Sequence, residues 1–183
     1  YSKLNTSQKQ IRLFELYPSI NGSDIKGSFH YVELSANLEY VALSYTWGDE
    51  ATYGEIQVDD GMNIPIRENL WQFLRLQSSS LSESKFYWID AICINQSDVN
   101  ERNHQVGLMR QIYTNATAVY VWLGCESSNS NLAMDYITEK ASKKLKAKGL
   151  GFRPIWSEQE GEALVELCER PYWRRMWIIQ EII

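Results

Sequence analysis

The chain has 183 residues, 44% hydrophobic and 22% charged, with a formal net charge of -5. That length suits one domain with a full core, and the acidic balance argues against a broad nucleic-acid surface, which needs Lys and Arg clustered against phosphate. No stretch reaches the roughly 18 uninterrupted apolar residues of a membrane span, and no basic start leads into an apolar run, so neither a transmembrane segment nor a secretory leader is expected.

Residues 11–16 and 28–34 alternate apolar and polar side chains and are expected to be strands, split by the turn-rich residues 18–27. Residues 40–45 form the next strand, with Thr46-Trp47-Gly48-Asp49 as its exit loop. Residues 55–67 read as a hairpin. A three-residue loop, Asp59-Asp60-Gly61, puts Ile56, Val58, Met62 and Ile64 on one face and gives Gly61 the left-handed position. Leu70, Phe73, Leu74 and Gln77 recur at helical spacing until Ser78-Ser79-Ser80 ends the run. A strand over 86–94 follows, then a helix over 98–115 whose apolar stripe is Val99, Val106, Met109, Tyr113 and Ala116.

Residues 117–123 are a further strand, stopped by Gly124. Leu132, Tyr136, Ile137, Ala141 and Leu145 mark another helix, and residues 149–154 a loop. Ser157-x-x-Glu160 is a capping box that opens the next helix. Pro171 divides that helix from a last one, with Tyr172, Met176, Ile179 and Ile183 on one stripe. Alternation of strand and helix after residue 67 implies parallel strands under covering helices. The first 66 residues are expected to add antiparallel edge strands or a subsheet. The whole is read as a single domain over 1–183 with its core at about 40–183. An apolar helical pattern still running at Ile183 leads to the expectation that this is part of a longer protein.

The common catalytic signatures are missing: no GxxxxGK[ST], GxGxxG, GxSxG, HExxH or CxxC occurs. His30 and His104 are the only histidines, so no metal site is expected. Cys93, Cys125 and Cys168 are odd in number and read as buried reduced thiols of a cytosolic protein. Cys93 with His104 is a conceivable nucleophile–base pair, although Cys93 sits in an apolar run that suits core filling better. Asp98 and Glu101 read as a helix N-cap pair. Arg102 and Gln105 either reach the end of the preceding strand or lie in solvent.

In open α/β sheets, ligands bind at the carboxyl ends of the strands, and the run Tyr87-Trp88-Ile89-Asp90-Ala91-Ile92-Cys93-Ile94-Asn95-Gln96 ends in polar side chains there. Asp90 lies between Ile89 and Ala91, and a carboxylate in so apolar a setting needs a partner or a ligand. An acceptor for the Trp47 loop and a ligand contact stand as equal readings. Near the other end of the chain Trp173, Trp177 and Glu181 recur at spacing of four. Ile178 and Trp177 precede Glu181 by three and four, so no cation pairs with it within a helix. A carboxylate against an indole in a partly dry site is expected to have a raised pKa, suited to acid–base or cation-stabilising work; a solvated glutamate, or one salt-bridged between helices to Arg174, Arg175 or a lysine, is the alternative.

Three segments share a density of tryptophan and polar residues: residues 40–49 (Tyr-Val-Ala-Leu-Ser-Tyr-Thr-Trp-Gly-Asp), the 87–96 run with Asp98 and Glu101-Arg102, and residues 170–181 (Arg-Pro-Tyr-Trp-Arg-Arg-Met-Trp-Ile-Ile-Gln-Glu). Together they resemble the HET (heterokaryon incompatibility) domain of filamentous fungi. HET domains look like distant relatives of the TIR fold. The resemblance therefore implies a TIR/flavodoxin-like α/β domain, a largely parallel sheet flanked by helices, with additional N-terminal antiparallel strands. It also implies a cytoplasmic effector of programmed cell death after non-self recognition. Its expected partners are other incompatibility proteins and, on activation, further copies of itself, without nucleic acid.

Several TIR-group members cleave NAD with a glutamate that follows a tryptophan by four residues, and Trp177-Ile-Ile-Gln-Glu181 resembles that stretch. On this carry-over Glu181 is the catalytic candidate. Tyr45, Trp47, Gly48, Asp90 and Trp177 would bind the substrate. NAD would be a substrate, with no metal or resident cofactor. A non-catalytic self-association module and a nucleotide-binding sensor without turnover are the alternatives.

Overall fold

Parallel and antiparallel pairing meet in one seven-stranded sheet of order β5-β4-β2-β1-β6-β3-β7. The computed structural model describes residues 1–20, 24–35, 37–58, 61–141 and 156–175, without the side chains of 140 and 141. The chain forms two compact units, one holding Tyr1–Gly124 and Arg175, the other the described residues of Cys125–Arg174.

In the first unit the strands are β1 (Gln10–Leu16), β2 (Ile25–Glu33), β3 (Val41–Tyr45), β4 (Thr52–Val58), β5 (Asn63–Arg67), β6 (Lys85–Trp88) and β7 (Ala118–Trp122). The helices are α1 (Glu68–Ser80), the single turn α2 (Asp90–Cys93) and α3 (Val99–Asn115). β3 runs parallel to both β6 and β7, and β2 parallel to β4. β1 is antiparallel to β2 and β6, and β4 to β5. The sheet is thus evenly mixed among the described residues, not largely parallel. Of the strands that begin in the first 66 residues, β5 is an antiparallel edge strand as expected, whereas β1 is central. β1 sits between β2 and β6, and β5 and β7 are the edges. A strand-rich start reads as an appendage only while its partners are unknown.

Side-chain alternation along β6 fixes the layers. Tyr87 faces α1, where Phe73 meets both Tyr87 and Trp122 edge-on, at 5.9 and 5.7 Å between ring centres. Its neighbour Trp88 faces the other way and meets Tyr113 of α3 at 5.6 Å. Two helices therefore cover opposite faces of β6, and the buried aliphatic and aromatic side chains of β1, β3 and β6 fill the layers between.

The β4–β5 hairpin has the expected register: Ile56 pairs with Ile64, the Val58 amide donates to Met62 O, and Gly61 has φ of +82°. Residues 59–60 lie outside the described chain. α1 continues through the serines because each hydroxyl bonds back to a carbonyl of the preceding turn, Ser78 and Ser79 to Arg75 and Ser80 to Gln77. Two expectations fail. The strand expected over 86–94 stops at Trp88, and Asp90–Cys93 turns helically instead. The buried face of α3 is Glu101, Gln105, Leu108, Met109, Ile112 and Tyr113, whereas Val99 and Val106 are exposed. That stripe is masked in sequence because two of its members are polar.

The second unit holds α4 (Ser130–Asp135), a π-helical continuation (Tyr136–Ala141), α5 (Glu158–Cys168) and a 3-10 turn (Pro171–Arg174). The capping box at Ser157 and Glu160 is present in both directions. Ala133, Tyr136, Ala163, Leu167 and Tyr172 are its buried apolar residues among those described, and the Arg170 guanidinium reaches Cys125 O and the Ser127 and Ser130 hydroxyls. At the expected start of the last helix the described residues form this 3-10 turn, and Arg175 lies outside it; the expected stripe from Met176 onward lies outside the described residues. All three cysteines are free, but only Cys93 is buried, and Cys125 and Cys168 are exposed. No helix among the described residues is long and apolar enough to cross a membrane.

Candidate functional site

β3 delivers its exit loop from a fully buried strand. Beyond Tyr45, side chains from the start of α1 hold the loop. Asn69 donates to Thr46 O at 2.6 Å and accepts from the Trp122 indole at 2.8 Å. Arg67 donates to Gly48 O at 3.1 Å and lies over the Trp47 ring at 5.2 Å. Gly48 adopts φ of +75°, a left-handed turn that a side chain would resist.

β6 ends next to it. Ile89 is still extended, and Asp90 opens the single turn of α2. One carboxylate oxygen of Asp90 accepts from the Ala91 amide at 2.7 Å, and the other from the Trp47 indole N–H at 2.9 Å. The Gln96 amide in turn donates to Asp90 O at 2.9 Å. The polar partner that an isolated Asp90 demanded is therefore the Trp47 loop. The exits of two adjacent parallel strands are tied through one carboxylate.

Below this junction lies a buried ion pair. Arg12, fully buried on β1, donates from Nη1 to Glu101 Oε1 at 2.8 Å and to Cys93 O at 2.7 Å. The same Glu101 oxygen accepts from the Asn95 amide at 2.7 Å. Asp98 does cap α3, accepting from the amides of residues 100 and 101, but the Glu101 side chain turns inward to Arg12. Burial by itself would lower the Arg12 pKa; the Glu101 hydrogen bond and charge hold it above its ordinary value. The pair pins the 93–96 segment that carries Gln96. Burial pushes the Cys93 thiol up to about 12, so it is a neutral core group and no nucleophile. His104 bonds Gln105 instead.

A pocket of about 410 Å³ opens at this strand end. Thr46, Trp47, Asp90 and Gln96 form its strand-exit side, and Ile94 its floor. Arg102, Val106 and Met109, at spacings of four and three, present one stripe of α3 to it. Arg175 completes the lining and donates to the buried Ser44 hydroxyl at 3.1 Å. The Thr46 Oγ1 is buried with no partner among the described residues. A larger hollow, about 770 Å³, sits at the opposite, amino ends of β3, β6 and β7, against Val41, Lys85, Phe86 and Ala118. Ligand sites of open α/β sheets favour the carboxyl end, and there the smaller pocket brings Thr46, Trp47, Asp90, Gln96, Arg102 and Arg175 together.

The structure thus brings Trp47 and Asp90 into one pocket. Tyr45 lies 1% exposed beneath it, its pKa held well up by burial and secondarily by the Asp90 charge. Gly48 faces a separate recess with Asp49, Tyr53, Glu68 and Gln72. Trp177 and Glu181 lie outside the described residues. Sequence reasoning missed Arg175, Thr46 and the Val106–Met109 wall. The Arg102, Val106, Met109 spacing held the signal, obscured by assigning that stripe to the core.

The sequence profile described as Heterokaryon incompatibility protein (HET) matches residues 40–181. "Heterokaryon incompatibility protein 6, OR allele" of Neurospora crassa is 30% identical, the match covering 97% of this chain and 32% of that protein. "Vegetative incompatibility protein HET-E-1" of Podospora anserina is 26% identical over 148 residues, 79% of this chain and 9% of that protein. The chain spans about a third or less of the length of these curated relatives. No solved structure matches it significantly.

Proposed function

Because the chain belongs to the heterokaryon incompatibility (HET) family, we propose that it is the effector domain of a fungal incompatibility protein, and that it drives cell death by cleaving NAD at its glycosidic bond. The observation that carries the chemical half is the pocket where Trp47 and Asp90 join at the carboxyl ends of β3 and β6. Breaking the ribose–nicotinamide bond releases nicotinamide and leaves an oxocarbenium-like carbon, which water then attacks. A carboxylate stabilises that centre or holds the ribose hydroxyls, as in glycoside hydrolysis. Asp90 already accepts from two N–H groups, which suits positioning of a sugar over proton transfer. Glu181 is assigned the catalytic carboxylate from its sequence spacing to Trp177.

In this reading the protein works in the cytoplasm, assembles with further copies of itself on activation, and answers to other incompatibility proteins. The test is nicotinamide release by the purified full-length protein at high concentration. Glu181→Gln keeps size and removes charge, and is expected to lower release by ~10²-fold or more while leaving unfolding unchanged. Equally slow release by both proteins, with killing retained in cells, would sink the enzyme reading and leave recruitment through self-association as the output.

A further inference from the structure

The pocket beside Trp47 carries a charge opposite to that of the chain. The whole sequence is net -5, yet among the described residues the lining sets two guanidiniums, Arg102 and Arg175, beside the carboxylate of Asp90. That carboxylate is turned to the Trp47 indole and the Ala91 amide. The pocket's field is therefore suited to an anion.

Between the charges the surface is apolar and partly aromatic. Arg67 lies against the Trp47 ring, and the indole lines the pocket together with Ile94, Val106 and Met109. Val106 is 41% exposed although it is aliphatic and sits mid-helix. Its exposure is explained if the pocket is a surface that a ligand covers. The volume, about 410 Å³, falls within the range of small-molecule sites.

Arg102 is placed by the first turn of α3, capped by Asp98, and Arg175 is oriented through its guanidinium, whose Nη1 donates to the fully buried Ser44. A guanidinium has five N–H donors in a fixed fork, which matches phosphate oxygens two at a time. The buried Thr46 hydroxyl, without a partner among the described residues, offers a further bond to a ligand oxygen.

We infer that this pocket binds a phosphorylated nucleoside, its base against Trp47, Val106 and Met109 and its phosphate held by Arg102 and Arg175. The inference rests on the reading of the pocket as the ligand site, and it assigns recognition residues without any chemical step. A free nucleotide and the nucleotide half of a dinucleotide share this chemistry.

Calorimetric titration of the full-length protein with AMP, ADP-ribose and adenosine tests it. AMP and ADP-ribose are expected to bind at least about tenfold tighter than adenosine, the worth of one charge-assisted hydrogen bond or more. Arg102→Gln and Arg175→Gln should each remove about that factor for AMP and leave adenosine unchanged. Arg102→Lys should recover only part of it, because an ammonium lacks the fork. Urea unfolding of each variant separates a binding loss from a folding loss.

Equal affinity for AMP and adenosine, no binding of either, or wild-type AMP affinity in a folded Arg102→Gln protein would each overturn the inference. Nucleotide binding through the two arginines without nicotinamide release would sustain it and count against NAD cleavage. Nicotinamide release with KM unchanged in both variants would do the reverse.

Discussion

The Trp47 indole donates to the Asp90 carboxylate across 2.9 Å, joining the exits of β3 and β6, strands 43 residues apart in sequence. Both residues reach this point through the same device. Each follows a strand buried by tyrosine, tryptophan and aliphatic side chains, and each stands two residues past the end of its strand. Trp47→Phe keeps the ring and removes the donor. Since the acceptor is charged and partly buried, a loss of about 1.5–3 kcal/mol is expected, read as a lower urea midpoint at unchanged m-value. A shift below the resolution of the measurement would show that solvent replaces the indole.

Gly48 tests the loop's backbone independently of that bond. A Cβ there would meet only Asn69 Cβ, at an ordinary 3.8 Å, so space is not the obstacle. The φ of +75° is. Gly48→Ala is expected to cost about 1–2 kcal/mol, the price of a left-handed backbone for an ordinary side chain. Gly48→Asn should cost clearly less, because Asn tolerates that region. Equal midpoints for Ala and Asn would show that the loop relaxes out of the turn.

Elements with one clear period were legible in the sequence. The hairpin register followed from Ile56 and Ile64 with Gly61, and the Ser157 cap from its spacing to Glu160. The parallel sense of β6 and β7 followed from the alternation of strand and helix after residue 67, and both pair parallel with β3. What escaped reading depended on distant partners. Nothing local says that Glu101 turns inward, because the reason is Arg12, 89 residues away. With Glu101 and Gln105 taken as polar surface, the core stripe of α3 was placed on Val99 and Val106. Asp90 was the reverse case: its apolar neighbours made a partner necessary, and Trp47 supplied it. The central place of β1 in the sheet depended on pairing with β6, some 70 residues on, which no period encodes.

Glu15 predicts a pH dependence. It accepts from Ser84 at 2.6 Å, His30 at 2.8 Å and Ser28 at 3.3 Å. The Ser84 hydrogen bond, foremost, and the His30 contacts outweigh burial and lower its pKa from the ordinary carboxylate value. A carboxylate depressed in the folded state stabilises the fold above its unfolded pKa, and that stability is lost as pH falls through the folded one. Glu15→Gln should therefore be less stable than wild type at neutral pH, with the gap closing in acid. Urea midpoints between roughly pH 7 and pH 3 would reveal it; a gap that stays constant would assign the effect to packing alone.

The buried Arg12–Glu101 pair gives the largest stability effect. Arg12 is ringed by Tyr1, Phe29 and Tyr31, its guanidinium 4.6 to 5.9 Å from their centres, and Glu101 is 2% exposed. Removing one charge strands the other in a dry site, at about 3–5 kcal/mol. Arg12→Met fits the aromatic surround but leaves Glu101 with only the Asn95 amide among the bonds that define it here. Glu101→Leu leaves Arg12 without its anion. The double variant removes both charges and is expected to be more stable than the two single losses predict, with a coupling of about 1–3 kcal/mol in a double-mutant cycle. Because Arg12 also holds Cys93 O, and Glu101 the Asn95 amide, the pair fixes the segment that places Gln96 on Asp90. The double variant should therefore recover stability more fully than it recovers AMP affinity at the Trp47 pocket. Strict additivity of the single losses would show that the two side chains act separately. Full recovery of both properties would show that apolar packing alone can hold the 93–96 segment.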